Sequence, residues 1–120
     1  MLVLFDQATP VPIRRFLVDH TVRTAFEQRW DTLKNGELLT VAEAAGFEVF
    51  VTTDRNLRHQ QNLAGRKIAV ILINVQQWPA LQQHVALVVA AVNAATPGSY
   101  YEVDIPKETD EAGSKRPPDG

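Results

Sequence analysis

Cysteine is absent from the 120 residues. That excludes a disulfide scaffold, a thiolate zinc site, an iron–sulfur cluster and a cysteine nucleophile. It is compatible with a reducing compartment, so a cytoplasmic location is the expectation. Charge of one sign is also scarce: 12 Lys/Arg stand against 14 Asp/Glu, for a net charge of −2. The average hides a split. Residues 1–101 hold nine basic and eight acidic side chains, and residues 102–120 hold three and six. The body is nearly neutral, unlike proteins that bind nucleic acid by bulk charge. Long apolar runs are missing as well. The longest stretch without a polar residue is Val85 to Val92, far short of the roughly 20 residues that cross a bilayer. No basic region followed by an apolar stretch opens the sequence, so no secretory signal is read.

What remains is ordinary globular composition: 45% hydrophobic and 22% charged residues, with 6 Gly and 7 Pro. One domain is expected over residues 1–104. Residues 105–120 are expected to form a disordered acidic tail, because no large apolar residue occurs from Lys107 onward.

The hydrophobic pattern alternates between strand and helix. Leu2-Val3-Leu4-Phe5 is a continuous apolar run closed by Asp6, the mark of a strand buried on both faces. Thr9-Pro10 predicts an N-cap and a helix to about Val18, burying Val11, Phe16 and Leu17. His20 to Thr24 predicts a second strand. Asn35-Gly36-Glu37 opens a helix whose apolar stripe is Leu38, Leu39, Val41, Ala42 and Ala45, with Gly46 as its stop. Phe47 to Thr52 predicts a third strand and Ile68 to Ile73 a fourth. A short helix is expected over Asn56 to Leu63, and a long one from Trp78-Pro79 to about Ala94. Val85 to Val92 has more apolar surface than one stripe requires, which suits either a buried helix or a homodimer face. Tyr100 to Val103 predicts a fifth strand at an edge. This alternation predicts an α/β fold with a mainly parallel central sheet, covered on both faces.

Ligands in such sheets collect beyond the carboxyl ends of the strands. Asp6, Asp54 and Asn74 each follow a predicted strand, and Glu37 opens the helix leading to the third. Converging carboxylates repel and raise one another's pKa unless a cation joins them. Mg²⁺ or Mn²⁺ takes oxygen ligands of this kind and activates water against a phosphodiester. Each residue also has a structural explanation. Asp54 suits an N-cap for the helix after it, and Glu37 suits the first turn of its helix.

The chain resembles the PIN-like proteins, in particular a small bacterial branch. The segments that carry the resemblance are Leu4-Phe5-Asp6-Gln7-Ala8-Thr9-Pro10, Leu33-Lys34-Asn35-Gly36-Glu37-Leu38-Leu39, Val51-Thr52-Thr53-Asp54-Arg55-Asn56-Leu57 and Gln60-Gln61-Asn62-Leu63-Ala64-Gly65. The resemblance implies a three-layer α/β/α sandwich. It implies a metal-dependent ribonuclease, of a kind that often serves as the toxin of a toxin–antitoxin pair. It makes Asp6, Glu37 and Asp54 the catalytic and metal-binding acids, with Mg²⁺ or Mn²⁺ as cofactor, RNA as substrate and an antitoxin protein as partner. Two departures stand out. Gln7 occupies a position that is usually acidic in that branch, and Asn56 and Asn74 stand where a fourth acid is common. A catalytically inactive module that binds RNA or a partner protein is the alternative.

Arg14, Lys34, Arg55, Asn56 and Asn74 are candidates for substrate contact, with Arg15 and Arg58 near them in sequence. His20, His59 and His84 lack metal-ligand spacing, and Trp30 and Trp78 read as packing residues. There is no P-loop, dinucleotide fingerprint or nucleophile elbow. A phosphoryl-accepting receiver is disfavoured: it needs an acidic pair at the first strand and a lysine closing a late one.

Overall fold

The computed structural model describes residues 1–57 and 63–106. Five strands form one sheet: β1 (Leu2–Phe5), β2 (Thr21–Thr24), β3 (Val49–Thr52), β4 (Ala69–Ile73) and β5 (Tyr100–Val103). Every pairing is parallel and the order is β2-β1-β3-β4-β5. β1 and β3 lie in the interior and are buried almost throughout, as their unbroken apolar sequence requires. β2 and β5 are the edges. They alternate exposed and buried residues or expose most of their length.

Among the described residues, three α-helices and one 3-10 helix accompany the sheet. Helix α1 (Asn35–Ala44) packs Leu38, Leu39 and Ala42 against Leu4, Phe50 and Val70 on one face. The opposite face carries Val3, Phe5, Val51, Ile71 and Ile73. It is covered by the 3-10 helix Val11–Phe16, α2 (Trp78–Gln82) and α3 (Val85–Asn93). Alternate residues of each strand serve alternate faces, so the sheet is covered on both sides. The β1-to-β2 and β4-to-β5 connections cross this same face in opposite lateral directions. They are therefore of opposite hand, and one departs from the usual right-handed crossover.

Several expected boundaries shift. The helix expected from Pro10 is a 3-10 helix that buries Ile13 and Leu17, while Val11 is 51% exposed and Phe16 40%. Thr9 does not cap it: the N-cap position is Pro10 and carries no side-chain hydrogen bond. The long helix expected to Ala94 is broken at Gln83-His84 into α2 and α3. α3 buries Val88 and Val92 against the sheet and leaves Leu87 exposed. Ala45, assigned to the α1 stripe, is exposed. Ile105, placed in the expected tail, is buried in the core. The expected helix Asn56 to Leu63 lies partly outside the described residues, as do Arg58, His59 and residues 107–120.

Two turns share one geometry. Gly46, at φ +94°, ends α1, with its N–H on the Glu43 carbonyl and that of Phe47 on the Ala42 carbonyl. After β2, Arg29 adopts φ +64°, its N–H bonds the Phe26 carbonyl, and that of Trp30 bonds the Ala25 carbonyl at 2.8 Å. Both are Schellman motifs. They deliver Phe47 and Trp30 to an edge-on ring contact with centroids 5.8 Å apart.

Candidate functional site

Because all five strands are parallel, their carboxyl ends share one edge. The chain leaves β1 for β2 on one side and later fills β3 on the other. The crevice of an open sheet lies at that reversal, between the ends of β1 and β3. A cleft of about 900 Å³ opens there, at the upper end of the usual range for small-molecule pockets. Asp6, directly after β1, and Asp54, two residues after β3, both line it. Arg55, Asn56 and Asn74 line it too.

Asp6 is only 8% exposed. Its Oδ1 accepts the Thr9 backbone N–H at 3.0 Å and lies within hydrogen-bond reach of the Thr9 hydroxyl. That hydroxyl is also 3.0 Å from the Val51 carbonyl. The Thr52 hydroxyl donates to Asp6 Oδ2 and accepts the Asp54 backbone N–H at 3.1 Å. Burial pushes the Asp6 carboxyl above the usual aspartate range. The hydrogen bonds from Thr52 and Thr9 oppose that rise, and the charge of Asp54 adds to it. Thr9 therefore serves Asp6 and the β3 backbone instead of capping the helix that follows it.

Asp54 is held from both sides. Its Oδ2 accepts the Asn35 amide at 2.6 Å, and its Oδ1 accepts the Asn56 backbone N–H at 3.0 Å. The bond to the Asn56 N–H closes a local turn, and Asp54 stays on the cleft wall. Asn35, not singled out as a site residue in the sequence, is the residue by which α1 holds Asp54. An amide beside an acid two segments away is visible only once the fold joins them.

The structure brings Asp6 and Asp54 together and leaves Glu37 apart. Glu37 folds back so that its Oε1 accepts the Lys34 backbone N–H at 3.2 Å. This is the reach of an N3 acid toward its own N-cap, and Glu37 is not among the residues lining the cleft. Among the described residues no three His, Cys, Asp or Glu side chains gather as a metal-binding group.

The basic candidates separate as well. Arg55 lines the cleft and donates to the Asn74 carbonyl at 2.8 Å. Arg14 pairs with Glu27 at 2.6 Å, away from the cleft lining. The hydrogen bond from Arg14 holds Glu27 below the usual glutamate range, with help from the Thr24 backbone. Lys34 is exposed and outside the lining. Asn74 borders the cleft, but its amide is engaged elsewhere. Its Nδ2 donates to Asp104 Oδ1 and the Ile105 carbonyl, and its Oδ1 accepts the Ile105 N–H at 2.8 Å. It fastens the segment after β5.

His20 is structural: its ring nitrogens meet the amino terminus and Asn93 Oδ1 of α3. Trp78 packs on Phe16, with centroids 6.2 Å apart. Trp30 does more than pack, because it also lines the cleft. No helix among the described residues is long and apolar enough to cross a membrane. Set against protein-family models, curated proteins and solved structures, the chain matches none.

Proposed function

We propose that the cleft is the active site of a PIN-like, divalent-metal-assisted ribonuclease in which Asp6 and Asp54 are the acidic pair. The observation that carries this reading is their meeting at the sheet's reversal point, bridged by the Thr52 hydroxyl. Two carboxylates suffice for Mg²⁺, which keeps several waters and takes further oxygens from substrate phosphates. The donor set fits: beyond its single protein hydrogen bond, each Oδ2 keeps accepting capacity. Asp6 and Asp54 would hold the ion, with Glu37 left to its helix. Such an ion activates water and offsets charge on phosphoryl oxygens. The chain's own part is positioning. Asn35 and the Asn56 N–H fix Asp54, Thr9 and Thr52 fix Asp6, and Arg55 offers its remaining N–H groups to a phosphate.

The test is calorimetric titration with Mn²⁺ of the wild type and the Asp6→Asn/Asp54→Asn variant, followed by an RNA-cleavage assay. Binding near micromolar that is lost in the variant, with cleavage lost alongside, is expected. No binding up to millimolar Mn²⁺ overturns the reading.

One observation favours a second reading, a metal-free module that binds RNA or a partner protein. Every carboxylate oxygen of the pair already receives a protein donor. RNA binding unchanged by metal chelation, without cleavage, would select it.

A further inference from the structure

The cleft is not uniform. On the β1 and β2 side of the acids its wall is apolar, formed by Ala25, Trp30, Leu33 and Leu38. Gln7 and Asn35 border the cleft with that wall. Trp30 is half-buried and fixed by the Schellman turn behind it and by the edge contact with Phe47. A pinned indole lining a cleft is an aromatic surface that needs little ordering when a planar ligand arrives.

The two carboxamides are oriented by the protein. Gln7 Nε2 donates to the Asp31 carbonyl, and Asn35 Nδ2 donates to Asp54 Oδ2. Neither acceptor could receive a bond from a carbonyl oxygen, so the amide orientation follows from the partners. The groups left over are two acceptors, Gln7 Oε1 and Asn35 Oδ1, neither with a partner among the described residues. The nearby carboxylates are acceptors too. An apolar, aromatic wall edged by acceptors selects a flat ligand whose rim carries donors.

We infer that this lobe binds an unpaired nucleobase bearing an exocyclic amino group, stacked on the Trp30 wall with its amino edge toward Gln7 and Asn35. Adenine and cytosine present such a donor, whereas uracil presents carbonyl oxygens at the corresponding positions. Uracil would set O4 against these acceptors, and its one donor on that edge, N3–H, could meet only one of them. Bases read this way are splayed from single strands, where their edges are free. Arg55 is the one arginine on the cleft wall among the described residues, and it offers a phosphate contact beside the base. The inference rests on the cleft being a nucleic-acid site and adds its base preference.

The experiment measures binding by fluorescence anisotropy with labelled oligo-A, oligo-C and oligo-U RNA, in EDTA so that nothing is cleaved. In parallel, quenching of Trp30 is read in a Trp78→Phe chain with AMP, CMP and UMP. Oligo-A and oligo-C are expected to bind at least about tenfold tighter than oligo-U, the scale of one well-made base contact. In the anisotropy assay, Trp30→Leu should remove most of the preference. Trp30 touches the core, so Gln7→Leu, at an exposed position, serves as the variant that leaves folding intact, and it should narrow the preference. Quenching by AMP and CMP alone assigns the lobe to free nucleotides, and quenching only by oligomers assigns it to a strand. Equal or tighter binding of oligo-U, or unchanged Trp30 fluorescence at saturation, overturns the inference. Cleavage with Mn²⁺ but without base preference leaves the nuclease reading standing alone. Base preference without metal binding removes the nuclease reading and keeps the lobe.

Discussion

Asp6 and Asp54 are joined through one hydroxyl: Thr52 donates its proton to the Asp6 carboxylate and accepts the backbone N–H of Asp54 at 3.1 Å. The residue between the acids is the last of β3, fully buried. The rigid centre of the sheet thus sets the geometry of the pair, and its consequences are measurable without knowing a substrate.

Asp6 should make the protein less stable as the pH rises. Its folded pKa lies above the unfolded value because burial outweighs the hydrogen bonds. The folded state then binds more protons than the unfolded chain in the window between the two values. Its contribution is complete below the ordinary aspartate pKa and is lost as the pH rises through the raised one. Each unit of difference is worth about 1.4 kcal/mol. In EDTA, urea midpoints of wild type and Asp6→Asn from pH 3 to 8 should diverge, with wild type losing ground toward neutrality. Parallel curves, or wild type gaining ground, would refute the account.

Thr52→Val keeps shape and volume but removes both bonds of the bridge. The buried Asp6 oxygen and the Asp54 N–H each lose a partner, at a cost of about 1–3 kcal/mol. Thr52→Ser should recover most of it, because the hydroxyl returns. Denaturant midpoints of the three proteins decide the matter. A valine variant as stable as wild type would show that water replaces the hydroxyl on both sides.

Much of this fold was legible because central strands of a parallel sheet are apolar on both faces. Leu2 to Phe5 and Ala69 to Ile73 read as strands at sight. The 3-10 helix was less so: periodicity placed Val11 and Phe16 inside, yet three residues per turn brings Ile13 inward and leaves them exposed. The hand of the β4-to-β5 crossover leaves no trace in local pattern. In the site, Asp6 and Asp54 were visible as acids at strand ends. Gln7 was visible only as an amide where the resemblance expects an acid, and Asn35 not at all as a site residue, because an amide gains a role only from what the fold sets beside it. Glu37 carries two readings for a physical reason: the first turn of a helix favours an acid whether or not a ligand is near.

Asn74 should prove a fastening, not a substrate contact. It holds Asp104 and Ile105 through three hydrogen bonds, next to the buried side chain of Ile105. Asn74→Ala should cost about 1–3 kcal/mol and speed amide exchange at Ile105. Ligand affinity in the cleft should stay within about twofold of wild type, well under 1.4 kcal/mol. Unchanged exchange at Ile105 would sink this assignment, and a tenfold loss of affinity would restore Asn74 as a contact.

Glu37 separates the structural reading of the acids from the one its sequence position suggests. If it only caps α1, Glu37→Ala removes one acceptor for the Lys34 N–H and one favourable charge at the helix start. The loss should be about 0.5–1 kcal/mol of stability. Glu37→Gln should lose less, since glutamine also closes a capping box. Mn²⁺ affinity should be the same in both variants as in wild type, and lost in Asp6→Asn/Asp54→Asn. A ligand would behave otherwise: alanine and glutamine would weaken the metal alike, by tenfold or more, whatever they did to the helix. Melting curves and Mn²⁺ isotherms on the same four proteins therefore assign Glu37 to the helix or to the ion.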